Sequence, residues 1–68
     1  MFKAGDLVIS TNRDQITGML GVVIAVDKIV ASRRGVPFKY VKVYFANAPD
    51  FKTRIIQSNF LELVNENR

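Results

Sequence analysis

The segment Tyr40-Val41-Lys42-Val43-Tyr44 holds the clearest chemistry in the chain: two phenol rings and an ammonium at alternate positions. Alternate side chains of an extended strand share one face, so Tyr40 and Tyr44 would flank Lys42 on a single surface. Such a face suits single-stranded nucleic acid, because a base stacked on an aromatic ring contributes about 1–3 kcal/mol while cations neutralise phosphates. Lys39 heads the same segment, and Arg33-Arg34 stand in the stretch that leads into it. Arg33, Arg34, Lys39, Tyr40, Lys42 and Tyr44 are therefore the expected nucleic-acid-binding residues, the tyrosines for stacking and the cations for phosphate. The same residues also fit a purely architectural role, in which outer-face tyrosines pack against cross-strand neighbours and Lys42 lies between them. Lys52 and Arg54 extend the positive face if their segment pairs with this one. Arg54 and Ile56 would share a side, and a slip of one residue would exchange the sides.

A second candidate surface is apolar. Met19-Leu20 at a turn tip, Ile29-Val30 and Phe51 are large hydrophobic groups in connecting segments. Clustered on the surface they would mark a protein partner or a homo-oligomer. Alternatively they cap the open ends of a small rolled sheet, where a short chain needs every apolar side chain it has.

Catalytic chemistry finds few groups to work with. The chain has no His and no Cys, so the usual neutral-pH general base and the usual thiolate nucleophile are both missing. Asp6, Asp14, Asp27, Asp50, Glu62 and Glu66 occur singly, without the spacing of a carboxylate pair or a calcium loop. Asp6 and Asp27 flank strand ends, where aspartate accepts hydrogen bonds from turn backbone. Glycines at 5, 18, 21 and 35 are not followed by the Gly-Lys-Ser/Thr of a phosphate-binding loop. No enzyme, metal or cofactor is expected. Ten Lys and Arg against six Asp and Glu give a net charge of +4 and a pI near 9.9, a mild bias toward polyanionic partners.

The elements that must position these residues are short strands. Sixty-eight residues make one domain, and a chain of this size buries only about 60% of its unfolded surface, so its core must be compact. Strands are expected at Leu7-Val8-Ile9, at Gly21 to Asp27, at Lys39 to Phe45 with Val41, Val43 and Phe45 inward, and at Thr53 to Gln57. In the second, Val22, Ile24 and Val26 alternate with Val23 and Ala25, so both faces are apolar, as in a strand that bends and serves both halves of a barrel. Ser32 to Pro37 reads as a turn or hairpin loop, and Thr11 to Gln15 as a polar connection. Ser58-Asn59-Phe60 reads as a single 3₁₀ turn and Leu61 to Val64 as a last strand beside the first. No apolar run reaches signal-peptide or membrane-spanning length, so a cytoplasmic protein without a membrane role is expected.

Three short motifs resemble the SH3-like barrel superfamily. Gly5-Asp6-Leu7-Val8 is similar to the opening of its first long strand, and Ser58-Asn59-Phe60-Leu61-Glu62-Leu63-Val64 resembles the 3₁₀ turn and final strand of SH3 domains. Gly18-x-x-Gly21-Val22-Val23 is closer to the KOW and Tudor-like branches, many of whose members bind RNA, DNA or the transcription and translation machinery. The chain is also similar to small barrel proteins of phage and bacterial genomes. Two features depart from the pattern. There is no Trp, and of the SH3 groove aromatics only Phe60 has a counterpart; Met19-Leu20 stand where the KOW turn carries a basic residue. The resemblance implies an all-β fold, a five-stranded SH3-like barrel over residues 1–64 with a frayed tail at 65–68. The implied function is a non-enzymatic binding module for nucleic acid, or for a nucleic-acid-bound complex of the transcription or translation machinery. The competing expectation is a protein-interaction or regulatory adaptor that holds a cellular protein through Met19, Leu20 and a barrel edge.

Overall fold

The computed structural model describes residues 2–11 and 16–64, and the fold is all-β apart from one 3₁₀ turn. The strands are β1 (Leu7–Ser10), β2 (Leu20–Val26), β3 (Ala31–Arg33), β4 (Val36–Phe38), β5 (Tyr40–Tyr44), β6 (Thr53–Gln57) and β7 (Leu61–Leu63), with the 3₁₀ turn at Ser58–Phe60. Five of them form one antiparallel sheet in the order β6-β5-β2-β1-β7, and β3 and β4 form a separate hairpin. The tail 65–68 and most of the polar connection before Ile16 lie outside the described residues.

This architecture corrects the expected closed barrel of five strands. Edge strands β6 and β7 share no ladder, so the sheet is open, and a two-stranded hairpin stands beside it. The physical reason lies in the 3₁₀ turn. A flat sheet would hold its first and fifth strands about 19 Å apart, whereas three residues of 3₁₀ helix rise only about 6 Å. The sheet is therefore rolled until one end of β6 meets one end of β7, and the two edges join end to end instead of side by side. Backbone bonds fasten this corner from both directions: Thr11 N–H donates to Phe60 O (2.8 Å), and Ser58 N–H donates to Lys39 O (2.8 Å). The Ser58 hydroxyl also accepts from Lys39 N–H at 3.1 Å.

The concave side of the roll holds the core. Val8, Val23, Val41, Val43, Ile56 and Leu61 fill it from the strands, Phe45 joins them directly after β5, and Ile16 and Ala48 enter it from connections. In β5 the expected division holds, with Val41 and Val43 sealed inside and Tyr40, Lys42 and Tyr44 outside. Arg54 and Ile56 do share the inner side of β6, which leaves Ile55 beside Lys42 on the outer one.

β2 departs from simple alternation. Val23 pairs with Val43 but Ala25 pairs with Lys42, so two residues of β2 oppose one of β5, and Ile24 and Ala25 both face out. This β-bulge returns Val26 to the inner side, where it packs on the core. The outer apolar residues of β2 therefore do not serve a second half of a barrel; they are exposed.

The β3–β4 hairpin turns on two residues of positive φ, Arg34 (53°) and Gly35 (81°), between the paired Arg33 and Val36. Both values match a type I′ turn, whose twist follows that of the flanking strands and which favours Asn-Gly. Arginine has no side-chain hydrogen bond to offset the left-handed conformation. Arg34→Asn is accordingly expected to raise stability by about 0.5–1 kcal/mol, read as a higher urea midpoint at unchanged slope. A lower midpoint would show that the Arg34 side chain makes a stabilising contact.

Candidate binding surfaces

The convex side of the five-stranded sheet is built from the outward residues of every strand in it. Across the middle run Thr53, Tyr44, Val22 and Leu7, each paired with the next, and Val64 follows beside Leu7 through its N–H bond to Leu7 O (3.0 Å). On one side of this row lie Ile55, Lys42 and the bulged Ile24; on the other lie Leu20, Ile9 and Glu62. Leu20, Val22, Ile24, Tyr44 and Ile55 are each between 41% and 68% exposed. Antiparallel sheets with one face on the core usually alternate apolar-in and polar-out, and here the outward set is apolar too.

The structure divides the six residues nominated for nucleic acid among three places. Tyr40, Lys42 and Tyr44 share the convex face, where a shallow groove between β2, β5 and β6 is lined by Ala25, Asp27, Tyr40, Lys42 and Ile55. Tyr40 is held there by an edge-on contact with Phe38, ring centroids 5.3 Å apart at 90°. Lys39 points off this face, into a groove with Phe2, Val30 and Phe38. Arg33 and Arg34 line a third groove between the hairpin and the 3₁₀ turn, with Gln57, Asn59 and Phe60. Lys52 and Arg54 leave the expected positive face altogether. The Lys52 ammonium donates to Ala46 O (3.1 Å) and Ala48 O (3.3 Å), and Arg54 Nε donates to Phe51 O (2.9 Å), so both brace the β5–β6 connection.

Of the two apolar turn residues, only Leu20 is presented to solvent. Met19 packs partly buried on the core, its N–H bonded to Ile16 O and its carbonyl to Ser10 N–H. Ile29, Val30 and Phe51 are exposed instead of capping the roll. Asp6 and Asp27 act as turn acceptors, as their positions suggest: Asp6 Oδ2 accepts from Lys3 N–H (2.9 Å) and Asp27 Oδ1 from Ile29 N–H (3.2 Å). Among the described residues no cluster of three His, Cys, Asp or Glu side chains is placed to hold a metal ion, and no helix is long and apolar enough to cross a membrane. Sequence reasoning did not single out Val22, Ile24 and Ile55 as a surface. The available signal was that β2 is apolar at every position, which a half-solvated strand does not require.

No family model, curated protein or solved structure matches this chain.

Proposed function

We propose that the protein is a non-enzymatic binding module that docks on another polypeptide through the convex face of its sheet. The supporting observation is the outward row of Leu20, Val22, Ile24, Tyr44 and Ile55, exposed although the core on the opposite side is complete. Contiguous apolar surface on this scale marks interaction sites in small proteins, and its central Tyr44 belongs to a residue type enriched at protein interfaces. The order β6-β5-β2-β1-β7, with a 3₁₀ turn before the last strand, supports placing the fold with SH3-like barrels whose hydrogen-bonded closure is incomplete.

The face suits protein better than nucleic acid because Lys42 is the one cation among the outward residues of its described strands, Arg54 of β6 standing on the inner side, and phosphate binding draws its affinity from several. A second reading keeps support from the hairpin groove, where Arg33 and Arg34 stand beside the Phe60 ring. There a short single strand could find one stacking platform and two phosphate contacts.

One comparison separates the two. The immobilised full-length chain is exposed to a lysate of its native host, to soluble tagged copies of itself and to a fluorescent oligothymidylate. The double variant Val22→Lys, Ile55→Lys is expected to lose the retained polypeptide, while Arg33→Ala, Arg34→Ala leaves that retention intact. Retention unaffected by the face variant, together with oligonucleotide binding that the arginine variant abolishes, would reverse the assignment.

A further inference from the structure

We infer that the polypeptide docked on the convex face is a second copy of this chain, in a two-fold dimer packed sheet on sheet. This inference rests on the docking role proposed for that face, and it adds the identity of the partner.

Area is the first argument. At their stated exposures Leu20, Val22, Ile24, Tyr44, Ile55 and Val64 present on the order of 500 Å² of accessible surface. Two copies face to face would cover about 1,000 Å² from these side chains alone, the least that a specific interface buries, before Tyr40, Thr53 and Lys42 at the margin are added. The face is also thick enough to seal. Aligned sheets pack about 10 Å apart with their side chains interdigitated, and the row Tyr44-Val22-Leu7 alternates a large ring with smaller branched groups.

Charge is the second. The chain carries +4 overall, yet among the outward residues of these strands the cation Lys42 is matched by the anion Glu62, Arg54 standing on the inner side, so self-docking does not bring like charge to the centre. The two lie on opposite halves: Lys42 is in β5, on one side of the central strand β2, and Glu62 is in β7, at the far edge on the other side. A two-fold axis parallel to β2 exchanges the halves. It sets β5 of one copy over β1 of the other and β6 over β7; Lys42 and Glu62 stay on opposite sides of the Tyr44-Val22-Leu7 row, so the apolar row meets its own copy and neither charge faces its like. Arg33, Arg34 and Lys39 stand away from the face in the hairpin and its grooves, and Lys52 and Arg54 are engaged with carbonyls of the β5–β6 connection. A two-fold interface must be complementary to itself, and this distribution of apolar and charged groups satisfies that condition.

Sedimentation equilibrium of the purified full-length chain at roughly 100 µM, above the Kd expected of an interface this small, tests the inference. A mass near 15 kDa, twice the 7.7 kDa of one chain, is expected. Val22→Lys with Ile55→Lys should return the monomer mass with an unchanged circular dichroism spectrum, since both positions are exposed; Val36→Lys, exposed in the separate β3–β4 hairpin, should leave the dimer intact. A dimer that survives the Val22 and Ile55 changes would overturn the assignment of this face. A monomeric wild type would overturn self-docking, and the capture experiment then decides the broader reading: it stands if the same variant loses a host polypeptide, and falls if it does not.

Discussion

Phe45→Ala is expected to remove about 3–5 kcal/mol of stability, the range for truncating a buried aromatic ring. Phe45 is completely buried, follows directly on β5, and is the largest fully enclosed side chain in the core. A domain of 68 residues has a total stability of only about 3–10 kcal/mol at the usual increment per residue. The variant should therefore be largely unfolded at 37 °C, with its strand circular dichroism signal lost or its urea midpoint far lower. Phe45→Leu, which keeps most of the apolar volume, should cost about 1 kcal/mol and remain folded. An unchanged midpoint for the alanine variant would mean that the ring is not enclosed.

Gly21→Ala should be nearly as damaging, by about 2–3 kcal/mol, although alanine ordinarily improves a strand interior over glycine. A Cβ built on Gly21 would stand 2.6 Å from Val43 Cγ1 and 2.7 Å from Phe45 Cε1, inside the van der Waals limit of both. Both neighbours are fully buried, so neither has free space to move into. Residue 21 is in this way tied to the Phe45 ring, and the two substitutions should be coupled. In the double variant Gly21→Ala, Phe45→Leu the smaller side chain relieves the overlap, and the combined loss should fall short of the sum by roughly 1 kcal/mol or more. Strict additivity in denaturant titrations would show that the backbone, and not the ring, absorbs the new methyl group.

The same glycine clarifies how the fold places its surfaces. Close approach of β2 to the ring at Gly21, followed by the bulge at Ile24 and Ala25, turns one continuous apolar strand into two faces with different fates. The inner one is filled by Val23 and Val26. The outer one is exposed, and it adjoins the tyrosine row of β5, so the aromatic residues that suggested stacking on bases stand among aliphatic neighbours. Tyr44 beside Val22, and Lys42 between Ala25 and Ile55, form a surface that excludes water more readily than it gathers phosphates.

Much of the chain was legible without coordinates wherever the deciding forces are local. The alternation of Val41 and Val43 with Tyr40, Lys42 and Tyr44 sets which side of β5 is buried, because a strand has a two-residue period and aliphatics leave water before phenols and ammonium groups do. Asp6 and Asp27 became turn acceptors because a short carboxylate reaches backbone N–H groups close by in sequence. The Ser58-Asn59-Phe60 turn was legible too, although the Ser58 hydroxyl accepts from Lys39 N–H, distant in sequence, and not from neighbouring backbone.

Other outcomes depended on contacts distant in sequence. Ile16 stands at the end of a polar stretch and has no periodic neighbours, yet it is almost fully buried, a member of the core formed by strands distant in sequence. The register of β6, which sends Arg54 inward and Ile55 outward, is set by pairing with β5. The bulge in β2 likewise exists only relative to its partner strand, so no reading of residues 20–26 alone could tell that Ile24 and Ala25 would face the same way. Sequence by itself determined the five strands of the main sheet, the 3₁₀ turn and the absence of histidine and cysteine chemistry, while β3 and β4 lie where it showed only a turn or hairpin loop. The tertiary structure decided that the sheet stays open, that its cations are dispersed and that an apolar face is exposed, because strand pairing and the roll of a sheet arise between segments and not within them.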